Sequence, residues 1–226
     1  MAVSAHPSAA SATDAPQLEF SVESVQAVRY AAVPTLGFAL RIRRLGGGEV
    51  RSVALNAQLR IAATGRSYNP AEQERLFELF GRPEQFGKTV RSLLWTNATA
   101  NVPPFRDSTL YELAIPCTYD FEVAAAKYLE ALEGGEVPLE LLFSGSVFYP
   151  EPGGRLQVAS ISWDREAHYR LPVGVWREMM DRHFGDSAWM RLRRDSFDRL
   201  YAYKARNVLA SWEDAVDALL LEAGEG

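Results

Sequence analysis

Cysteine is almost missing from this chain of 226 residues, Cys117 being the single one. One thiol can form neither an intramolecular disulfide nor a cysteine-only metal cage, so a core must hold the fold, and a reducing compartment such as the cytoplasm is expected. Histidine is scarce at three residues, and an excess of cations is absent: 24 Lys and Arg stand against 29 Asp and Glu, giving a net charge of −5. Nucleic acid and anionic membrane surfaces select for cationic excess, so neither is an expected partner. No apolar run approaches the roughly 20 residues of a membrane-crossing helix. Residues 1–16 are mostly Ala, Ser, Thr and Pro, with neither a basic n-region nor an apolar h-region. They read as a disordered tail rather than a signal peptide, and the chain is expected to be soluble and cytoplasmic.

What the chain does have is alternation. Leu36, Phe38, Leu40 and Ile42 alternate with small and basic residues, and after Gly46-Gly47-Gly48 the pattern resumes as Val53, Leu55, Ala57, Leu59 and Ile61. A period of two marks strands with one buried face, and the glycine run between them predicts a turn and an antiparallel hairpin. Further strands are expected from Leu18, Phe20 and Val22, from residues 89–96, from 110–121, from 137–149, and from 156–171. Residues 97–105 read as a long loop. Helices are expected after Asn69-Pro70-Ala71-Glu72, where Asn69 and Glu72 suit a capping box and Pro70 the first helical position, and over about 122–133.

From Pro172 onward the period changes to that of a helix, with a further capping box at Ser211 and Asp214. The expected architecture is α+β: an antiparallel Ig-like β-sandwich over 17–171 with two short inserted helices, and a helical C-terminal extension, 172–222, packed on it.

Few residues suggest chemistry. Asp164, Glu166 and His168 fall on one face of a strand, with alternate residues roughly 6–7 Å apart, a spacing at which carboxylates can bracket a reacting bond. The wet face of a half-buried sheet explains the same pattern. Metal donors are thin: Asp181 and His183 point about 200° apart on a helix, and Glu178, three residues from Asp181, leaves His183 off its face. No metal and no cofactor is expected. Cys117 shares the phase of Leu113 and Ile115, which predicts an inert buried thiol. Ser144-Gly145-Ser146 is not a nucleophile elbow, Gly46-Gly47-Gly48 has no following helix to cradle a phosphate, and Asn97-Ala98-Thr99 lacks the secretory context of a glycosylation site. The C-terminal part is richer: Arg191, Arg193 and Arg194 lie beside Trp189, with Trp176, Trp212, Tyr201 and Tyr203 close in sequence. Arginine and tryptophan together are the usual composition of protein–protein hot spots, so this segment is the candidate partner-binding site.

The strand at 36–42, the stretch VRSVALNAQLRIA at 50–62, TVRSLLWT at 89–96 and RDSFDRL at 194–200 together resemble an uncharacterised actinobacterial family, a domain of unknown function whose genes neighbour those of uptake nickel–iron hydrogenases. The resemblance spans about 18–221. Its motifs are structural and bring no active-site residues. It implies a non-enzymatic accessory role, with a hydrogenase subunit or maturation factor as the protein partner. Two other readings accompany it: a hydrolase using Asp164, Glu166 and His168, and a sugar-binding module presenting Tyr149 and Trp163 on a flat sheet face.

Overall fold

The computed structural model describes residues 15–117, 123–151, 153–185 and 190–224, and the chain forms two compact units that divide between residues 187 and 188. The strands of the first unit are β1 (Leu18–Ala27), β2 (Thr35–Arg44), β3 (Glu49–Val50), β4 (Ser52–Ile61), β5 (Leu93–Val102), β6 (Phe105–Arg106), β7 (Ser108–Pro116), β8 (Glu136–Pro150), β9 (Leu156–Ser160) and β10 (Glu166–Pro172). Its helices are α1 (Pro70–Arg75), α2 (Phe77–Phe80), α3 (Phe86–Thr89), α4 (Ala124–Ala131) and α5 (Val173–Phe184). The second unit contributes α6 (Arg194–Arg206) and α7 (Trp212–Ala223). The fold is thus mixed α/β with antiparallel sheets. Among the described residues no helix is long and apolar enough to cross a membrane.

Alternation builds two principal sheets. One has the order β1-β2-β7; the other runs β10-β8-β4-β5, with β9 also pairing with β8. Leu36, Phe38, Leu40 and Ile42 of β2 and Val53, Leu55, Leu59 and Ile61 of β4 are all buried in one common core. Phe20 of β1 stacks on Phe143 of β8 at 4.2 Å, and Phe38 meets Trp95 edge-on at 6.3 Å, so the sheets close on each other through interdigitated side chains. Each large apolar side chain removed from water contributes about 1.5–3 kcal/mol, which sets this layer well above any surface ion pair.

The expected β2–β4 hairpin does not form. β2 pairs with β1 and β7, while β4 pairs with β5 and β8. The glycine turn carries the chain from one sheet to the other, and both strands bury their apolar faces in the same core. Alternation identifies a buried face without saying whether its neighbour lies beside it or across from it. Gly46, Gly47 and Gly48 all have positive φ, and the Gly48 amide donates to the Asp107 carboxylate at 2.7 Å, tying the turn to the β6–β7 junction.

The loop expected from residue 97 is also strand: β5 continues through Asn97, Ala98, Thr99, Ala100 and Asn101, in register with Gln58 to Ala54 of β4. Inside β8, Gly145 has φ +130, and a Cβ there would sit 2.0 Å from the Ala54 carbonyl oxygen. The Asn69–Glu72 capping box and Pro70 start α1 as the sequence indicates, and Leu76 and Phe80 bury while Phe77 faces water. α5 packs onto β1, β2 and β10 through Val173, Trp176, Met179 and Met180.

Candidate functional site

β10 lies at the edge of its sheet, paired with β8 so that Glu166 faces Leu142 and His168 faces Glu140. The Glu166 and His168 side chains stand on the outer face, both more than half exposed, with Nε2 and Oε1 3.4 Å apart. Asp164 is not on the strand. It sits in the preceding turn, exposed, where a hydrogen bond from Ser162 and then the nearby Arg165 guanidinium hold its carboxyl below the usual range. The structure therefore brings together two of the three groups, on an open surface bathed in water, and none of the three lines any of the four depressions described on the first unit.

Beyond β10 the outer face of the same sheet is polar and nearly uncharged at its centre. Asn97, Thr99 and Asn101 of β5 lie beside Gln58, Asn56 and Ala54 of β4, with Ser144 and Ser146 of β8 next across. A shallow depression of about 260 Å³ lies among Ala54, Asn56, Thr99, Asn101 and Ser146. Aromatic rings do not lead here: Tyr149 shares the inward phase of Val147 and lies under the Arg44 guanidinium at 5.9 Å, and Trp163, 91% exposed, projects from the turn before β10.

The one strongly buried carboxylate among the described residues is Glu72, 2% exposed. Its Oε1 accepts from Arg66 Nη2 at 2.8 Å and from the Glu133 amide at 3.0 Å, and its Oε2 accepts from the Asn69 amide at 3.2 Å. Beside it the Arg66 guanidinium lies 5.3 Å from the Tyr68 ring centre. Tyr68 donates to the Ala63 carbonyl and lies 2.8 Å from the Tyr128 hydroxyl, oxygen to oxygen. Burial pushes both phenols up, Tyr128 furthest. Every oxygen of Glu72 is engaged, so the cluster clamps α1 to the α4–β8 connection and offers no free acid or base. The capping box revealed the Asn69 half of this cluster; no local signal pointed to Arg66.

Cys117 is buried, its thiol pushed up to about 12 by burial, which suppresses the thiolate a nucleophile needs. His183 places Nδ1 2.9 Å from the Met179 carbonyl oxygen, and Glu178 pairs with Arg182. Among the described residues no three His, Cys, Asp or Glu side chains are grouped to hold a metal ion.

In the second unit Ala215 is the one fully buried apolar residue among those described, while Phe197, Tyr201, Trp212, Val216, Leu219 and Leu220 are all exposed by more than a third. The Trp212 ring meets Phe197 at 5.2 Å and Tyr201 at 6.1 Å, joining the two helices in one aromatic patch. Lys204 Nζ closes the intervening turn by donating to the Leu209 and Ala210 carbonyls. Ahead of α6, Arg193 stands 3.5 Å from Asp195, and Arg194 pairs with Asp198 at 3.1 Å; both guanidiniums are over four-fifths exposed. Arg191 has no partner among the described residues, and Trp189 lies outside them.

The model of a family of unknown function, DUF6084, matches residues 15–226. The chain belongs to this family. The match takes in both units, and the family's description assigns it no activity. No curated protein matches the sequence. Among solved structures, a β-glucosidase from Kluyveromyces marxianus is similar at 11% identity over 69% of this chain, with a TM-score of 0.21. The alignment spans 15% of that enzyme's length, and a likeness at this level carries no argument about fold or activity.

Proposed function

We propose that this DUF6084 member is a non-enzymatic accessory factor whose Ig-like sandwich serves as a rigid scaffold and whose helical pair grips another protein. The observation that carries the reading is the second unit itself, which leaves a joined aromatic and aliphatic patch in water beside three arginines. Arg191, Arg193 and Arg194, with Trp189 next to them in sequence, are the proposed gripping residues. Guanidiniums this exposed suit an acidic partner surface, where bidentate pairs form without first losing a buried bond. The resemblance to a family encoded beside nickel–iron hydrogenases supports a hydrogenase subunit or maturation factor, in the cytoplasm, as that partner.

Affinity capture from native cells tests this directly. The wild-type chain is expected to recover a hydrogenase subunit or maturation factor in stoichiometric amount, and Arg191→Glu/Arg193→Glu/Arg194→Glu is expected to lose it at least about tenfold, since several charge pairs are reversed together. Equal recovery by the two chains rejects the reading. The hydrolase alternative rests on the Glu166–His168 contact, and a β10 variant with Asp164→Asn, Glu166→Gln and His168→Asn separates the two: it should keep the partner.

A further inference from the structure

We propose that β5 is the seam of a homodimer: a second copy of this chain adds its own β5, antiparallel, to the free edge of the sheet, across a two-fold axis that passes at Thr99. The seam lies on the first unit and requires nothing of the helical pair.

An exposed strand edge is a template for another strand, and edges that stay single are blunted by charge, proline, bulges or shortness. The other edges of the two principal sheets follow that rule. β1 carries Glu19 and Glu23, β7 carries Glu112 and ends at Pro116, β10 carries Glu166 and ends at Pro172, and β9 has five residues. β5 does not follow it. Among the described residues β5 pairs with β4 alone, and residues 92–102 contain neither a charge nor a proline. Ala98 and Ala100 share the inward phase of the buried Val102 yet are only half-buried, so the inner side of this edge is still partly in water.

The ladder fixes where the backbone groups of β5 point. The Phe143 amide donates to the Arg165 carbonyl and the Gly145 carbonyl accepts from the Ile161 amide, so odd-numbered residues of β8 turn their amides and carbonyls away from β4. Through the pairs Ser144–Asn56 and Ala57–Ala98 this alternation passes to β5, where Asn97, Thr99 and Asn101 direct theirs to the open edge. The straight run of the edge is bounded by Trp95, which has no opposite residue on β4, and by Pro103, and it is centred on Thr99.

The sequence of that run selects a second copy. Asn97-Ala98-Thr99-Ala100-Asn101 reads the same in both directions. Antiparallel pairing about Thr99 sets Asn97 opposite the second copy's Asn101, Thr99 opposite its own copy, and Ala98 opposite the second copy's Ala100. Asn and Thr fall at the hydrogen-bonded pairs, with Cα atoms about 5.5 Å apart and side chains free to bond across the outer face. The alanines fall at the closer pairs, about 4.5 Å apart, where small side chains fit and the half-buried methyl groups cover one another. About six main-chain hydrogen bonds form, no like charges meet, and pairing stops at Pro103, which has no amide to donate.

Sedimentation velocity of the full chain over about 1–100 µM reads the outcome. The wild type is expected to dimerise in that range, and hydrogen exchange of residues 96–102 is expected to be slower at the upper concentration than at the lower. Thr99 is exposed on the outer face, so Thr99→Lys and Thr99→Glu should leave the unfolding temperature of the monomer unchanged. Each should raise the dissociation constant at least about tenfold, because the axis sets like charges directly opposite. An equimolar mixture of the two variants should dimerise more tightly than either alone, opposite charges then meeting at the axis. A wild type that stays monomeric, a dimer in which residues 96–102 exchange as fast as in the monomer, a dimer that survives Thr99→Lys, or a mixture no tighter than its components overturns the proposal.

Discussion

Replacing Glu72 by alanine should be among the most damaging single changes in the first unit, although Glu72 lies on α1, outside both sheets. The carboxylate is 2% exposed and the Arg66 side chain opposite it 12%. Its removal leaves a guanidinium whose remaining partners are the Ser67, Gly134 and Glu136 carbonyls at 3.3, 3.4 and 3.5 Å, all long contacts. It also strips acceptors from the Asn69 and Glu133 amides. Breaking one side of a buried ion pair costs about 3–5 kcal/mol, a figure that already includes part of the orphaned amides. At about 2–4 °C per kcal/mol for a chain of this size, the midpoint should fall by roughly 6–20 °C. Thermal unfolding followed by circular dichroism measures it, with Arg66→Met and the double variant closing a mutant cycle. The double variant should be less destabilised than the sum of the singles by about 2 kcal/mol or more, since neither charge is then left alone. A loss under about 1 kcal/mol for Glu72→Ala, or a cycle that is simply additive, refutes the clamp.

Gly145→Ala should cost about 3 kcal/mol or more, or prevent folding, because the new Cβ meets the Ala54 carbonyl oxygen at 2.0 Å and the backbone is at φ +130; soluble yield and urea unfolding report it. Cys117, buried with its thiol pushed up to about 12, should react with a thiol reagent at pH 8 only as fast as the native structure opens, and rapidly in denaturant. Burial, and then the contact with Tyr68, raise Tyr128 above its ordinary value, so the native state holds a proton that the unfolded chain releases. That stability is fully present below about pH 10 and is lost as the pH rises further toward the folded value; Tyr128→Phe should flatten this alkaline limb of the unfolding curve.

Strand identity was legible because buried positions repeat with a period of two, and Leu36 to Ile42 and Val53 to Ile61 all point inward as that period requires. Strand partnership was not. β2 and β4 present matched apolar faces whether they pair or stack, and three glycines serve either connection. Asn97-Ala98-Thr99-Ala100-Asn101 looked like loop by composition, yet its alternation was there to read: the two alanines are half-buried while Asn97, Thr99 and Asn101 face out. Caps at Asn69 and Ser211 were legible since their partners lie three residues away. The Arg66–Glu72 pair was not, because what buries it is the approach of α4 and the residues after it, from some sixty positions along the chain. In the candidate site, strand phase placed Glu166 and His168 together on the wet face, whereas Asp164 falls in the turn, where alternation no longer applies.

The C-terminal helical unit, and not the groups at the start of β10, is the proposed grip on a protein partner. The most direct measurement is quantitative capture from native cells with three otherwise identical chains: the wild type, Arg191→Glu/Arg193→Glu/Arg194→Glu, and Asp164→Asn/Glu166→Gln/His168→Asn. One stoichiometric partner is expected, lost by the arginine variant and kept by the β10 variant. A partner that is retained by the arginine variant and lost by the β10 variant contradicts it.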